Sequence, residues 1–173
     1  FNGEIFNYDT SAYSSDIEYL CDLFSTYNFG GVEMFSALFL PHMQTWDGFW
    51  AIVIYDSKTG DVICFTDPLG KKCLYVNKEG EISSEIKGVH RTGYSIDDTY
   101  ISSVRKWGYN TDNRTPYKEI KRILPNNIYS FNIVSPMFQQ VYQKYWEGFD
   151  SPIYELRGKS YEEHMEWLWD KMV

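Results

Sequence analysis

The sequence predicts an α+β fold, and three features predict it. Phe49 to Tyr55 (Phe-Trp-Ala-Ile-Val-Ile-Tyr) is almost wholly apolar, which suits a strand buried on both faces, and Val62 to Thr66 follows as its hairpin partner. Ser15-Asp16-Ile17-Glu18 has the form of a capping box, with Ser at N-cap and Glu at N3. The apolar residues Ile17, Leu20, Cys21, Phe24 and Tyr27 recur behind it at helical spacing. Short helices and further hairpins fill the rest of the chain, the mix that builds a layered α+β domain.

In chain order, Asn2-Gly3 is a turn signal, because both residues tolerate positive φ. The chain starts on that dipeptide with a bulky Phe1 and no initiator Met, so it is expected to be cut from a longer protein. A helix is expected from Asp16 to Tyr27, broken by Gly30-Gly31, and a second from Val32 to Leu40 that stops before Pro41. Asp56 to Asp61 is the turn of the first hairpin. Cys73 to Asn77 and Glu81 to Ser83 form a second hairpin around Lys78-Glu79-Gly80. Glu85 to Val89 is a short helix. Ile96 to Trp107 is a longer one with Asp97 and Asp98 in its first turn, where the helix dipole favours acids. Ile128 to Ile133 and Gln140 to Tyr145 form a late hairpin. Glu147 to Gly158, with Gly, Asp, Pro and Ser, reads as a linker. Ser160-Tyr161-Glu162-Glu163 is another capping box, opening a helix with Tyr161, Met165, Leu168 and Met172 on one face.

Composition narrows the function classes. The 173 residues fit one domain and part of another, and 43% hydrophobic with 23% charged residues is ordinary for a globular protein. The aromatic share of 18% is high and points to an aromatic-rich core. A net charge of −8 argues against a nucleic-acid partner, which needs clustered Lys and Arg. No apolar run is long enough to span a bilayer. Cys21, Cys64 and Cys73 are odd in number and widely spaced, with only His42, His90 and His164 beside them. A disulfide framework or a zinc site is therefore not expected, and reduced thiols fit a cytoplasmic setting.

Five blocks in order carry a family resemblance: Phe1-Asn2-Gly3-Glu4-Ile5-Phe6-Asn7-Tyr8, Ser15-Asp16-Ile17-Glu18, Trp46-Asp47-Gly48-Phe49-Trp50-Ala51-Ile52-Val53-Ile54-Tyr55-Asp56, Thr66-Asp67-Pro68-Leu69-Gly70-Lys71-Lys72-Cys73-Leu74-Tyr75-Val76 and Ser84-Glu85-Ile86-Lys87-Gly88. Together they resemble the glutamine-hydrolysing domain of asparagine synthetases, a class II glutamine amidotransferase. The resemblance implies a four-layer αββα sandwich of the N-terminal-nucleophile hydrolase type, here missing its first strands. It implies two parts: an amidotransferase domain over residues 1–146 lacking the upstream nucleophile segment, and over residues 147–173 a linker with the first helix of an ATP-dependent synthetase domain. The parent would hydrolyse L-glutamine and pass ammonia to ATP-activated aspartate. ATP and Mg2+ would serve the synthetase domain, and the glutaminase domain would need no cofactor. A homodimer is a further expectation.

The resemblance also assigns roles. The nucleophile would be an N-terminal cysteine upstream of Phe1, with its own α-amino group as base. Asn2, through its side-chain amide, and Gly3, through its backbone N–H, match the oxyanion hole. Glu4 and Asp16 match the carboxylates that hold the α-ammonium of glutamine. Plain alternatives stand beside these roles. Asn-Gly commonly marks an ordinary hairpin turn, Glu4 could be a solvated surface acid, and Asp16 could merely stabilise a helix start. Ser84-Glu85-Ile86-Lys87 is equally a domain-interface block or a helix cap. Asp47-Gly48 and Asp67-Pro68-Leu69-Gly70 are expected to be structural turns. Two departures are visible: Thr66 replaces the family's Arg, and Cys73 its Pro. The three cysteines are expected to be packing residues, with Cys21 on its helix's apolar face. Competing functions are another class II amidotransferase with a different acceptor, or a non-catalytic scaffold or regulatory domain.

Overall fold

A computed structural model describes residues 1–25, 32–110, 112–133, 135–143 and 160–172. Its larger sheet has five strands in the order β1 (Asn2–Ile5), β2 (Gly48–Tyr55), β3 (Asp61–Thr66), β7 (Asn127–Asn132) and β8 (Ser135–Gln143). A smaller sheet has the order β5 (Ile82–Ser83), β4 (Tyr75–Asn77) and β6 (Ile120–Arg122). Every strand pair in both sheets is antiparallel. The helices are α1 (Asp16–Ser25), α2 (Val32–Thr45), α3 (Ile86–Val89), α4 (Asp98–Trp107) and α5 (Tyr161–Met172). The expected mixed fold with antiparallel sheets is what forms.

Two buried clusters organise the chain. The first joins Leu20 and Leu23 of α1 and Phe35, Phe39 and Met43 of α2 to Ile5, Trp50, Ile52, Ile63, Phe65 and Ile128 on one face of the large sheet. The second joins Ala51, Cys64 and Tyr129 on the other face to Leu74, Val76 and Ile123 around the small sheet. Successive strand residues point to opposite faces, so β2 and β3 serve both clusters at once. This is why their sequences are nearly continuous apolar runs.

Several expectations are corrected. Asn2-Gly3 is not a turn: it lies inside β1, paired with Ala51 and Trp50 of β2. The β2 partner strand overrides the dipeptide's local preference. The second helix passes through Pro41 and ends at Thr45. Phe35, Phe39 and Met43, spaced four apart and all at most 1% exposed, hold it on the sheet, and that packing outweighs the hydrogen bond Pro41 cannot donate. Ile17 and Cys21 are exposed, because Leu20 and Leu23 make the buried stripe of α1. Val53 and Tyr55 are also exposed, so only the middle of β2, Trp50 to Ile52, is buried on both faces. Asp97 is the N-cap of α4, accepting the Thr99 and Tyr100 N–H groups, while Asp98 occupies the first turn. The three-residue β6, carrying Lys121 and Arg122, has no sequence signal. Tyr27 and the linker from Glu147 to Gly158 lie outside the described residues.

Residues of α1 and the second half of β2 border one open groove. Phe1, Ile17, Leu20, Cys21, Phe24 and residues 52–55 line an open, mainly apolar groove of about 430 Å³. β1 pairs with β2 only over residues 48–51, so residues 52–55 have no strand on that side among the described residues.

Two stability outcomes follow from the core. Phe39→Ala should cost about 3–5 kcal/mol, because it empties the centre of the helix–sheet cluster. Trp50→Phe should cost only about 1 kcal/mol or less, although Trp50 is equally buried. Its indole N–H has no hydrogen-bond partner among the described residues, and removing a buried unsatisfied donor offsets the lost area. Urea unfolding of the two variants checks this. A Trp50→Phe cost as large as that of Phe39→Ala would contradict it.

A binding groove opened by the exposed apolar residues should also bind a hydrophobic dye. Val53→Lys should lower dye binding and aggregation while changing stability by no more than about 0.5 kcal/mol. Equal dye binding by both proteins would contradict the assignment of the exposed patch.

Candidate functional site

The candidate site is the outer edge of β1. Gly3 and Gly48 bring β1 and β2 together there. A Cβ on Gly3 would strike the Phe49 carbonyl oxygen, and one on Gly48 would strike the Glu4 carbonyl oxygen. Both glycines also hold positive φ, +153° and +149°, which side chains disfavour. Glycine is therefore required at both positions for this close approach.

The pairing sets the direction of each group on β1. Phe6 donates its N–H to the Asp47 carbonyl, toward β2. Ile5 donates its N–H the other way, to Asp16 Oδ2 at 3.2 Å. Alternation along the strand therefore turns the Gly3 N–H to the same outer side as that of Ile5. Side chains alternate between faces. Ile5 enters the helix–sheet cluster, while Asn2, opposite Ala51, and Glu4, opposite Phe49, share the other face. Asn2 and Glu4 are exposed and Asp16 is half-buried. Glu4 has no hydrogen bond or ion pair among the described residues.

Local structure fixes Asp16 at this edge. Ser15 Oγ accepts the Glu18 N–H at 3.1 Å, the expected half of the capping box. The return contact goes one residue further, since Glu18 Oε2 accepts both the N–H and the hydroxyl of Ser14. Those Ser14 bonds hold the Glu18 carboxyl below its ordinary pKa. Tyr19, one turn on, packs against Tyr8, Tyr13 and Trp46, and its hydroxyl accepts the Trp46 indole N–H at 3.1 Å. The loop from β1 to α1 is thus pinned to the core. Asn7 closes the opposite end: it donates to the Thr45 carbonyl at 2.7 Å and accepts the Asp47 N–H at 2.8 Å.

The structure brings Gly3 and Asp16 to one edge and sets Asn2 and Glu4 on the adjoining face. It also adds residues that sequence reasoning missed. Asn7 is a clamp between the start of β2 and the end of β1. The Lys72 ammonium lies over the Phe49 ring, 5.3 Å from its centroid, and that ring meets Phe6 edge-on. Asn7 and Lys72 stood inside two of the resembling blocks, but no local signal gave either a role.

The expected structural turn at Asp67 forms. Asp67, 1% exposed, accepts the N–H groups of Leu69, Lys71 and Lys72, and Gly70 takes φ +64°. Asp47-Gly48 instead leads directly into β2. Thr66 is buried opposite Ala51. Cys73 places its thiol 3.9 Å from the Gly70 carbonyl. The Ser84-Glu85 block starts α3, but it is Ser83 Oγ that accepts the Glu85 N–H. All three cysteines are free thiols, and burial pushes the Cys64 thiol far above its ordinary pKa, which suppresses the thiolate. Among the described residues no group of His, Cys, Asp and Glu could hold a metal ion, and no helix is long and apolar enough to cross a membrane.

A hydrogen-bond donor turned outward beside an anchored carboxylate could serve acyl-transfer chemistry. Residues 1–146 match the glutamine amidotransferase domain, and the chain belongs to that family. It is also 27% identical, over 188 aligned positions, to a putative asparagine synthetase [glutamine-hydrolyzing] 2 of Methanocaldococcus jannaschii. That alignment covers 98% of this chain and 34% of the relative, so the chain spans about a third of the relative's length.

Asp16→Ala should speed amide exchange at Ile5 by about tenfold or more, since a hydrogen bond to a charged group contributes roughly 1.5–3 kcal/mol. Asp16→Asn keeps an acceptor oxygen and should leave most of that protection. Exchange measured by NMR decides it, and an unchanged Ile5 rate in Asp16→Ala would show that the edge contact is not formed in solution.

Proposed function

We propose that this chain is the glutamine-hydrolysing part of an asparagine-synthetase-like enzyme that transfers the glutamine amide nitrogen to ATP-activated aspartate. One observation carries the reading: the Gly3 N–H points outward at the β1 edge, and Asp16 is held at that same edge two residues along. In this reading the thiolate of an N-terminal cysteine, upstream of Phe1, attacks the side-chain amide carbon of glutamine. Gly3 N–H and the Asn2 amide donate hydrogen bonds to the oxyanion that forms. Ammonia leaves with a proton relayed through the cysteine's α-amino group, and water cleaves the thioester to glutamate. Glu4 and Asp16 hold the substrate's α-ammonium, which selects free glutamine over a peptide-bound residue.

The proposal includes the domain division at 1–146 and 147–173 and the four-layer sandwich, of which the two packed sheets with helices α1 and α2 would be three layers. It includes ATP and Mg2+ in a synthetase domain, a cytoplasmic setting and a homodimer. The name of the archaeal relative supports the synthetase part. The scaffold alternative draws on the Thr66 and Cys73 departures. Both are accommodated around the Asp67 turn and neither lies on β1, so they leave the glutaminase reading intact.

Kinetics of the longer protein, starting at the cysteine, test the roles separately. Asn2→Ala removes an oxyanion donor, so it should lower kcat by about 100-fold or more with little change in KM. Asp16→Asn removes a charge from the ammonium clamp, so it should raise KM for glutamine more than it lowers kcat. The 173-residue chain alone should release no ammonia from glutamine. Asp16→Asn kinetics equal to wild type would reduce Asp16 to a helix-terminus residue, and activity lost on Cys73→Ala would move the nucleophile to Cys73.

A further inference from the structure

A second pocket, on the small sheet, is lined by a cation with no ion pair among the described residues. Arg122 of β6 stands opposite Tyr75 of β4, and its backbone is fixed by donating to the Asn113 carbonyl at 2.8 Å. Among the described residues its guanidinium makes a single long bond, from Nη2 to the Gly70 carbonyl at 3.3 Å. Its Nε is shielded from solvent and has no hydrogen-bond partner among the described residues. With one long bond to share among its donors, the terminal nitrogens of this guanidinium have N–H groups left for a further acceptor.

The pocket around it holds about 290 Å³ and is walled by Tyr75, Tyr100, Asp112, Arg114 and Arg122, with Ile86 and Val104 supplying apolar surface. Arg114 is already balanced: its Nη1 lies 3.1 Å from Asp112 Oδ2 and its Nε 3.9 Å from Asp97 Oδ2. Asp112 in turn accepts from Asn110 Nδ2 and the Arg114 N–H, bonds that hold its carboxyl below the ordinary pKa. Asp97 caps α4. Neither acid is free to serve Arg122, whose charge is left over among the described residues.

We propose that this pocket binds the carboxylate of a small organic acid, with Arg122 as the recognising cation. A planar guanidinium matches a carboxylate through paired N–H donors. One surplus positive charge balances one carboxylate rather than a phosphate dianion. The apolar wall of Ile86 and Val104 accommodates a short carbon body, and the volume limits that body to a few carbons. The inference is independent of the glutamine reading, since it uses no residue of β1 or α1.

The test is a titration of the full chain with sodium butyrate, following the Arg122 Nε–H resonance in nitrogen–proton NMR spectra. The resonance is identified by its loss in Arg122→Lys. Butyrate should shift it saturably, with a dissociation constant on the order of 1 mM. Sodium sulfate and sodium phosphate at matched ionic strength should not. Val104→Phe, which fills the pocket but leaves Arg122 in place, should retain the resonance and lose the butyrate response. A linear, unsaturating shift, an equal response to sulfate or phosphate, or a full response in Val104→Phe would each overturn the proposal.

Discussion

The close approach of β1 to β2 is the constraint on which the rest of this architecture depends. Two glycines, Gly3 and Gly48, permit it, each standing where a Cβ would collide with the partner strand's carbonyl. Once β1 is seated, its four residues have fixed directions. Ile5 enters the core beneath α1 and α2, Asn2 and Glu4 take the other face, and the N–H groups of Gly3 and Ile5 turn outward. Asp16 then ties the start of α1 to the strand through Ile5. Local chain geometry, core packing and the chemistry of the edge are thus one arrangement. A side chain at either glycine would disturb all three.

The same arrangement explains why polar chemistry and apolar exposure meet at this end of the molecule. β2 extends four residues beyond its pairing with β1, and that stretch, which has no strand on that side among the described residues, borders the groove lined by Ile17, Cys21 and Phe24. An edge with unpaired backbone groups above an apolar groove is a place where a further extended segment can pair. The small sheet has a different character. Its interior side joins the inter-sheet cluster, while Arg122 and the tyrosines face a polar pocket beside α4.

Local signals were legible in the sequence, and long-range ones were not. The β2–β3 hairpin and the Asp67 turn depend on residues within a few positions and formed, and so did the Ser15 half of the capping box. Asn2-Gly3 was misread as a turn because its partner, β2, lies almost fifty residues away. Pro41 was misread as a stop because the anchoring of Phe35, Phe39 and Met43 is tertiary. Ile17 and Cys21 fitted the helical period, yet period alone does not say which edge of the stripe the sheet covers. Of the site, Asn2, Gly3, Glu4 and Asp16 came from motif resemblance. The bond from Ile5 to Asp16 and the Asn7 clamp had no signature in the chain, because each joins segments that only folding brings together.

The most direct test of the central claim is where L-glutamine acts on the folded chain. Backbone amide NMR during a glutamine titration reads this without requiring turnover. The account predicts saturable shifts at Gly3, at Ile5 and at the first turn of α1 from Asp16 to Glu18, with D-glutamine producing none. Shifts confined to other elements, or equal responses to both enantiomers, would contradict the assignment of the β1 edge as the glutamine site.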